Sequence, residues 1–230
     1  MTGALRKPPI DRAPDDAAEP QASCPICPRL VEYRRDNARR FPAYCNAPAP
    51  SFGPPTAKLL IVGLAPGLHG ANRTGRPFTG DFAGDLLYRT LTKFGFARGV
   101  YDARPDDGLT LVEAMITNAV RCAPPANKPT PDEIRACRPF LAARISSLRE
   151  LRAIVCLGRI AHESTLAALG LKAKDAPFGH GAEHLAPSGV WIFDSYHCSR
   201  YNTNTGRLTE SMFEQVFLQV RSKLSGAATG

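Results

Sequence analysis

Four short apolar runs alternate with longer amphipathic segments along the chain. The apolar runs read AKLLIVGL from residue 57, AMITNAV from 114, RAIVCLG from 152 and GVWIFDSYH from 189. Nearly continuous apolar character is typical of parallel strands that are covered on both faces. The alternation predicts an α/β fold in a single domain, with a four-stranded, mainly parallel sheet flanked by helices.

The segments between the apolar runs carry apolar residues at helical spacing. A basic helix is predicted from residue 28, PRLVEYRRDNARRF, followed by FAGDLLYRTLTKFG, TPDEIRACRPFLAARISSLREL, RIAHESTLAALG and TESMFEQVFLQVRSKL. Thr130 and Thr209 are predicted N-caps, and Glu133 completes a capping box with Thr130. Because ligands bind at the carboxyl ends of the strands in such sheets, functional residues are expected in the loops that leave those ends.

The 230 residues suffice for one sizeable core, and the folded domain is expected over residues 23–224. Residues 1–22 are rich in Pro, Ala and Asp without periodicity, and they are expected to be disordered, as are residues 225–230. No apolar run approaches the roughly 20 residues of a membrane span, and residues 1–22 lack the apolar region of a secretory signal. We expect a cytoplasmic monomer with no membrane partner.

The chain is basic, with a formal net charge of +8. A positive excess favours polyanionic partners, since basic side chains release counterions from phosphates. Many basic proteins bind no nucleic acid, so the charge by itself decides little. The loops at the strand ends carry the more specific signals.

The glycine-rich stretch GLAPGLHGANRTGRPFTGD, at residues 63–81, leaves the carboxyl end of the first predicted strand. Its glycines permit close backbone approach to a ligand, although the phosphate-loop patterns GxxxxGK[ST] and GxGxxG are absent. Phe78 offers a ring for stacking or a plug for the loop. Arg73 and Arg76 offer charge for phosphates or a solvated face. Asp81 offers a carboxylate to a ligand or an N-cap to the next helix.

Polar side chains also follow two other predicted strands. Asn118 ends the second strand, and its amide can serve a ligand as both donor and acceptor or cap a turn. His197 follows the fourth strand and is placed to touch a ligand, unless it is a satisfied structural histidine.

Four of the seven cysteines have a spacing that suits a metal centre. Cys24 and Cys27 form a CPIC pair, whereas Cys122 and Cys137 are separated by 14 residues. Zinc ribbons usually contain two CxxC pairs, and only one of the two cysteine pairs in this chain has that spacing, which makes zinc the less natural metal. Four thiolates suit a [4Fe–4S] cluster, and buried free thiols are the remaining alternative.

The loop at residues 63–81, the segment HCSRYNTNTGRLT and the four-cysteine pattern together resemble the uracil-DNA glycosylase superfamily, in particular its iron–sulfur-containing family 5. The resemblance extends from about Cys24 to the last helix. Two departures from the common pattern stand out. Cys198 occupies the position of a proline, and Leu64 and Ala65 replace the polar residue of most branches, as is characteristic of family 5.

The resemblance implies a protein that flips a base out of DNA into a pocket. It assigns the stacking contact with uracil to Phe78 and the reading of uracil N3–H and O4 to Asn118. Cytosine presents the reversed hydrogen-bond pattern and would be excluded by the same amide. Gly63 and Ala65 belong to the loop surface that wraps the base.

The resemblance also implies two catalytic residues. His197 would donate a hydrogen bond to uracil O2, where negative charge collects as the base departs. Asp81 would stabilise the oxocarbenium-like sugar or orient the attacking water. No lysine lies in residues 63–81 or 197–207, so a lyase step through a Schiff base is not expected.

The segment after His197 is implied in DNA binding, with a plain surface turn as the alternative. Arg200 and Tyr201 are candidates for a wedge that fills the space left by the flipped base. Ser199, Asn202 and Arg207 would contact phosphates.

The metal centre is implied to be a structural [4Fe–4S] cluster held by the four cysteines. It would pin the first helix to residues 122–137 and order that segment against DNA, with Lys128 and Arg121 facing phosphates.

The sequence therefore indicates a monofunctional glycosylase of DNA repair that excises uracil, and by extension other deaminated bases, leaving an abasic site. A nucleoside hydrolase and a non-catalytic, cluster-stabilised nucleic-acid-binding module remain as alternatives.

Overall fold

The computed structural model describes residues 18–226. Within this range, a five-stranded sheet forms the centre of the protein, and two short strands form a separate hairpin. The strands are β1 (Leu59–Gly63), β2 (Ala97–Arg98), β3 (Thr110–Leu111), β4 (Ala114–Asn118), β5 (Ala153–Leu157), β6 (Glu183–Leu185) and β7 (Trp191–Ser195).

Helices connect the strands, and their predicted caps are confirmed. Thr130 accepts from the Glu133 amide while Glu133 accepts from the Thr130 amide, and Thr209 accepts from the Met212 amide. No helix in the described range is both long and apolar enough to cross a bilayer. The helices are α1 (Pro28–Arg40), α2 (Ala71–Thr74), α3 (Phe82–Lys93), α4 (Pro131–Ser147), α5 (Arg159–Ala168), α6 (Arg200–Asn204) and α7 (Glu210–Ser225).

The strand order in the main sheet is β4-β1-β5-β7-β6. Strands β4, β1, β5 and β7 are parallel to their neighbours and correspond to the four predicted strands, which are confirmed. The predicted number of strands is wrong by one, because β6 adds an antiparallel edge. The three residues of β6, Glu-His-Leu, form no apolar run, since an edge strand tolerates polar side chains.

Helices cover both faces of the sheet. Leu59 and Ile61 of β1 pack with residues of α3 and α7, whereas Leu60 and Val62 pack with residues of α4 and α5. Every residue of β1 is buried, which explains its uninterrupted apolar run. This layering leaves the carboxyl ends of the parallel strands at one shared edge, where the loops that follow β1, β4 and β7 meet.

The segment that precedes the first cysteine packs against the domain. Glu19 accepts hydrogen bonds from Arg121 Nη1 at 2.9 Å, Arg144 Nη2 at 2.8 Å and the Ser51 amide at 3.0 Å. The predicted N-terminal tail is therefore too long by residues 18–22. Arg121 is fully buried, so the prediction that it faces phosphates is wrong.

The remaining parts of the two predicted tails, residues 1–17 and 227–230, lie outside the described residues. At the other end of the domain, α7 continues to Ser225, one residue beyond the predicted boundary.

Candidate active site

A cavity of about 520 Å³ opens at the carboxyl ends of β1 and β7. The loop after β1 supplies one wall, and the segment after β7 supplies another. The structure thereby brings together residues from two sequence motifs that are widely separated along the chain. The residues that line the cavity include Leu64, Ala65, His69, Asp81, His197 and Arg200.

Gly63 makes a close approach between two side chains possible. It pairs in register with Asn118 across the parallel β1–β4 ladder. A Cβ atom at Gly63 would lie 2.5 Å from Asn118 Oδ1 and 2.6 Å from Phe78 Cζ. Any larger residue would therefore push the amide or the ring out of position. Phe78 is itself buried and holds a left-handed φ of 53°, which is uncommon for an aromatic residue.

Asn118 carries an unpartnered polar atom. Its side chain is 2% exposed, and its Oδ1 has no hydrogen-bond partner among the described residues. A buried acceptor without a partner is costly, and native structures rarely keep one without a reason. The position beside Phe78, at the end of a central strand, fits an acceptor kept for a ligand donor.

His197 follows β7, and its imidazole lies next to the Phe78 ring. The two rings are close to parallel, with an interplanar angle of 25° and centroids 6.0 Å apart. Burial lowers the pKa of His197 to about 4. The imidazole is therefore uncharged at neutral pH and can act as a neutral hydrogen-bond donor.

Asp81 caps helix α3, as one of its two predicted roles required. Its Oδ1 accepts from the Gly84 amide at 3.3 Å. Its other oxygen faces the glycine-rich loop, since a Cβ at Gly70 would lie only 2.3 Å from Oδ2. Burial raises the pKa of this carboxyl group. One oxygen thus serves the helix while the carboxylate remains part of the cavity lining.

The segment after His197 folds into the single-turn helix α6. Ser199 caps it by accepting from the Asn202 amide, and the Asn202 side chain donates to the His197 carbonyl at 2.8 Å. Cys198, which stands in place of proline, is buried and directs its thiol to the Ala83 carbonyl at 3.5 Å. This contact ties the segment to α3.

The three large side chains of this segment differ in exposure and contacts. Arg200 lies over the Phe82 ring at 5.2 Å, and Arg207 lies over the Tyr196 ring at 4.6 Å. Tyr201 projects outward with 72% exposure.

The two arginines of the glycine-rich loop have opposite environments. Arg73 is exposed, and it donates to the Gly80 carbonyl at 3.4 Å. Arg76 is buried and forms a two-point ion pair with Asp107, with N–O distances of 2.8 and 2.6 Å. The interpretation of Arg76 as a phosphate ligand is therefore corrected: its charge is already neutralised inside the fold.

The four cysteines of the predicted metal centre gather between α1, the segment after β4, and α4. Cys27, Cys122 and Cys137 share an apolar cluster with Leu30. Burial, reinforced by the neighbouring thiols including Cys24, raises the pKa of Cys27 to about 11 and that of Cys122 to about 12.

Two N–H groups also point at sulfur atoms in this cluster. The Arg121 amide donates to Cys137 Sγ at 3.3 Å, and Arg34 Nη1 donates to Cys122 Sγ at 3.5 Å. Crowded thiols of this kind are neutral on their own, and a bound cation would favour their ionised form. The arrangement is compatible with a metal site.

Outside the four predicted cysteines, one group of described residues has its possible ligand atoms close together, and it was not predicted. Cys156, His162 and Asp194 bring their ligand atoms within 4.8 Å of one another. The imidazole is already engaged on both sides, by Asp194 Oδ1 at 2.7 Å and the Ala176 carbonyl at 2.8 Å. Because a carbonyl only accepts, Nε2 carries a proton. These contacts describe a buried imidazole–carboxylate pair, with Cys156 as a buried core residue beside it.

Sequence reasoning missed His69 as a cavity residue. It lies within the glycine-rich loop and lines the cavity, and Tyr44 Oη lies 3.0 Å from its Nδ1. A histidine between glycines at a strand end was the available signal, but its tyrosine partner is 25 positions away.

The fold and this site define a recognisable class: an α/β domain with an imidazole and a carboxylate on a cavity at the strand ends, and a buried amide beside Phe78 at the end of β4. The family model described as Uracil DNA glycosylase superfamily matches residues 50–221. The chain belongs to this superfamily, which confirms the resemblance drawn from the motifs.

Curated relatives extend the match over most of the chain. A Type-5 uracil-DNA glycosylase of Thermus thermophilus is 47% identical, covering 89% of this chain and 94% of that protein. Proteins of the same name from Pyrobaculum aerophilum and Mycobacterium tuberculosis are 41% and 43% identical, each over 88% of this chain and over 89% and 78% of their own length.

The Arg76–Asp107 pair leads to a prediction for stability. Although burial opposes ionisation, hydrogen bonds from Arg76 and nearby amides lower the pKa of Asp107 to about 2. The unfolded value is about 3.9. The contribution of this ionised carboxylate is therefore complete above about pH 5 and is lost as the pH falls towards 2. This carboxylate should make the free energy of unfolding of the parent fall by about 2 kcal/mol as the pH is lowered, and Asp107→Asn should lack that contribution.

Urea unfolding at pH 5 and at pH 2.5 measures this difference. The exposed neighbour Asp106 supplies the matched control, and Asp106→Asn should keep the acid sensitivity of the parent. Equal pH dependence in the parent and Asp107→Asn would contradict the assignment.

Proposed function

We propose that this protein is a monofunctional uracil-DNA glycosylase of base-excision repair, which hydrolyses the N-glycosidic bond and leaves an abasic site. The observation that carries the proposal is the buried, unpartnered Oδ1 of Asn118 beside Phe78 and Gly63. The names of the relatives, Type-5 uracil-DNA glycosylase, support it independently.

Base recognition follows from the chemistry of these groups. Asn118 Oδ1 accepts from uracil N3–H while the amide nitrogen donates to O4, and cytosine offers the opposite pattern. Phe78 stacks on the flipped ring. The backbone of Gly63 and Ala65 forms the wall that admits the base without side-chain obstruction. Other deaminated bases that present a comparable edge are an extension of the same proposal.

Base departure leaves negative charge on the uracil ring and positive charge on the sugar. The neutral imidazole of His197 donates a hydrogen bond to uracil O2 and so stabilises the negative charge on the ring. The Asp81 carboxylate lines the same cavity, where it stabilises the positive charge on the sugar or holds the attacking water. Neither role needs a covalent protein–DNA intermediate, which agrees with the lack of lysine in both loops.

DNA binding is assigned to the exposed basic and polar residues around the cavity. Tyr201, which is 72% exposed, is proposed as the wedge that enters the duplex, together with Arg200. Phosphate contacts are assigned to Arg73, Ser199, Asn202 and Arg207. Arg76 is left out, because Asp107 already neutralises it.

The cysteine group is proposed to hold a [4Fe–4S] cluster through Cys24, Cys27, Cys122 and Cys137. Four thiols around an apolar cluster, with N–H donors aimed at two sulfur atoms, fit the requirements of such a cluster. Bound there, the cluster supplies a covalent link between α1 and α4 and no chemistry at the base. A cytoplasmic, monomeric enzyme completes the proposal.

The first test is a strand-cleavage assay. A duplex with one uracil is incubated with the protein, and half of the sample is then treated with alkali. We expect cleavage at the uracil only after alkali, because an abasic site is alkali-labile and the protein has no lyase step. Release of uracil from free deoxyuridine but not from DNA would favour a nucleoside hydrolase. Salt-sensitive binding without base release would favour a binding module.

Asp81→Asn should slow base release about 100-fold and leave DNA affinity within about twofold. Asparagine caps a helix as well as aspartate does, so the substitution removes charge without removing the cap. Gly70→Ala should mimic it, because the methyl group would occupy the space of Asp81 Oδ2. Gly67→Ala is the graded comparison and should have a smaller effect, since its methyl group would lie 3.3 Å from the same atom and displace it only slightly. Single-turnover kinetics measure the rate of base release, and binding isotherms measure the affinity for DNA. An equal loss of rate and affinity in Asp81→Asn would contradict the catalytic role and indicate that Asp81 acts only as a helix cap.

The purified protein should be brown, with broad absorbance near roughly 400 nm. Cys137→Ala should lose this absorbance and bound iron, whereas Cys156→Ala, which removes another buried thiol outside the group, should keep both. Iron and zinc analysis with the absorption spectrum reports the outcome. A colourless preparation that contains zinc would refute the cluster.

A further inference from the structure

Three rings at the rim of the cavity have no role in the proposed reaction. Phe41 and Tyr44 stack with centroids 4.8 Å apart and an interplanar angle of 13°. His69 stands perpendicular to both, at 5.5 Å from Phe41 and 5.9 Å from Tyr44. We call Phe41, Tyr44 and His69 the rim aromatics.

The rim aromatics are held in place without belonging to the core. None of the three is part of a hydrophobic cluster of the described residues. The Tyr44 hydroxyl lies 3.0 Å from His69 Nδ1, which fixes the orientation of the exposed imidazole. Rings that are ordered but do not fill the core are available to an external partner.

The rim aromatics are also continuous with the cavity. His69 is itself a lining residue. The stretch that follows Tyr44 is hydrogen-bonded to the glycine-rich loop, through Cys45 N to the Arg73 carbonyl at 3.1 Å and Asn46 N to the Asn72 carbonyl at 3.0 Å. A strand whose base occupies the cavity therefore lies next to His69, which contacts the other two rings.

The charge around the rim fits a nucleic-acid strand. Arg40 lies over the Phe41 ring at 5.3 Å. Arg39 is exposed on the same helix end, and Arg73 is exposed on the loop that carries the cavity. Basic side chains interleaved with aromatic rings are typical of surfaces that bind single strands, where the rings stack on bases and the charges follow the phosphates.

We propose that the rim aromatics stack an unpaired base of the nucleotide adjacent to the flipped one on the same strand. The inference rests on the proposed function, since it needs a nucleotide in the cavity. It gives the protein a means of engaging uracil in single-stranded or locally melted DNA, where the neighbouring base is free to leave its stack.

The test uses single-stranded oligonucleotides with one 2′-fluoro-arabino-uridine, whose fluorine disfavours the oxocarbenium-like state and prevents excision. In two further oligonucleotides, the base on the 5′ or the 3′ side is replaced by a tetrahydrofuran abasic residue. Fluorescence anisotropy measures each affinity. For the parent, removal of the base on one side should weaken binding about tenfold, in the range expected of one base–ring stack.

The variants separate the ring from other contributions. Tyr44→Ala should bind all three oligonucleotides equally and weakly, because the stacked Phe41–Tyr44 pair and the hydroxyl contact that orients His69 are then lost. Tyr44→Phe should keep at least half of the loss of affinity that removal of the neighbouring base causes in the parent, since the ring remains. Tyr33→Ala, which removes a tyrosine of α1 outside the rim aromatics, should behave like the parent. A circular-dichroism melting curve for each variant checks that the fold is kept.

Two outcomes would overturn the inference. One is an affinity of the parent that does not change when either neighbouring base is removed, which would indicate phosphate contacts alone. The other is the same base dependence in Tyr44→Ala and the parent. Uracil release from an ordinary uracil-containing oligonucleotide is measured on the same preparations. Loss of base dependence with normal release removes only this inference, whereas no release from a folded parent removes the proposed function.

Discussion

The site depends on one close approach, at the point where β1 and β4 end side by side. Gly63 stands opposite Asn118 in the parallel register, and Phe78 returns to the same point from the far end of the loop. All three fit only because Gly63 has no side chain. The left-handed backbone at Phe78 stores strain at the same place. The apolar sheet and its two layers of helices hold this arrangement rigid, so that the amide is set before any ligand arrives.

The features that local sequence encodes were predictable, and those that depend on distant partners were not. The runs from residues 57, 114, 152 and 189 became parallel strands, because burial on both faces demands continuous apolar residues. The caps at Thr130 and Asp81 follow from neighbours three residues away. In contrast, Asp107, the partner of Arg76, lies 31 positions further along the chain, and no periodic pattern in the sequence predicts the pair.

Positive charge in this chain serves two separate purposes. Arg76, Arg121 and Arg144 are buried, and all three pair with acidic residues inside the fold. Arg73, Arg200 and Arg207 are exposed near the cavity mouth or the neighbouring loop. The net charge of +8 therefore overstates the strength of the binding surface if every arginine is counted towards it. Only geometry distinguishes a cation that holds the protein together from one that is free to meet a phosphate.

The contacts of Glu19 set an order of events during synthesis of the chain. Its two arginine partners lie 102 and 125 positions later, the second of them in α4. The set of contacts made by Glu19 is therefore complete only after α4 has emerged from the ribosome. By then Cys122 and Cys137 have also been made. Docking of Glu19 is thus completed only after all four cysteines of the proposed metal centre have been made, so a chain that ends before α4 lacks the native surroundings of these cysteines.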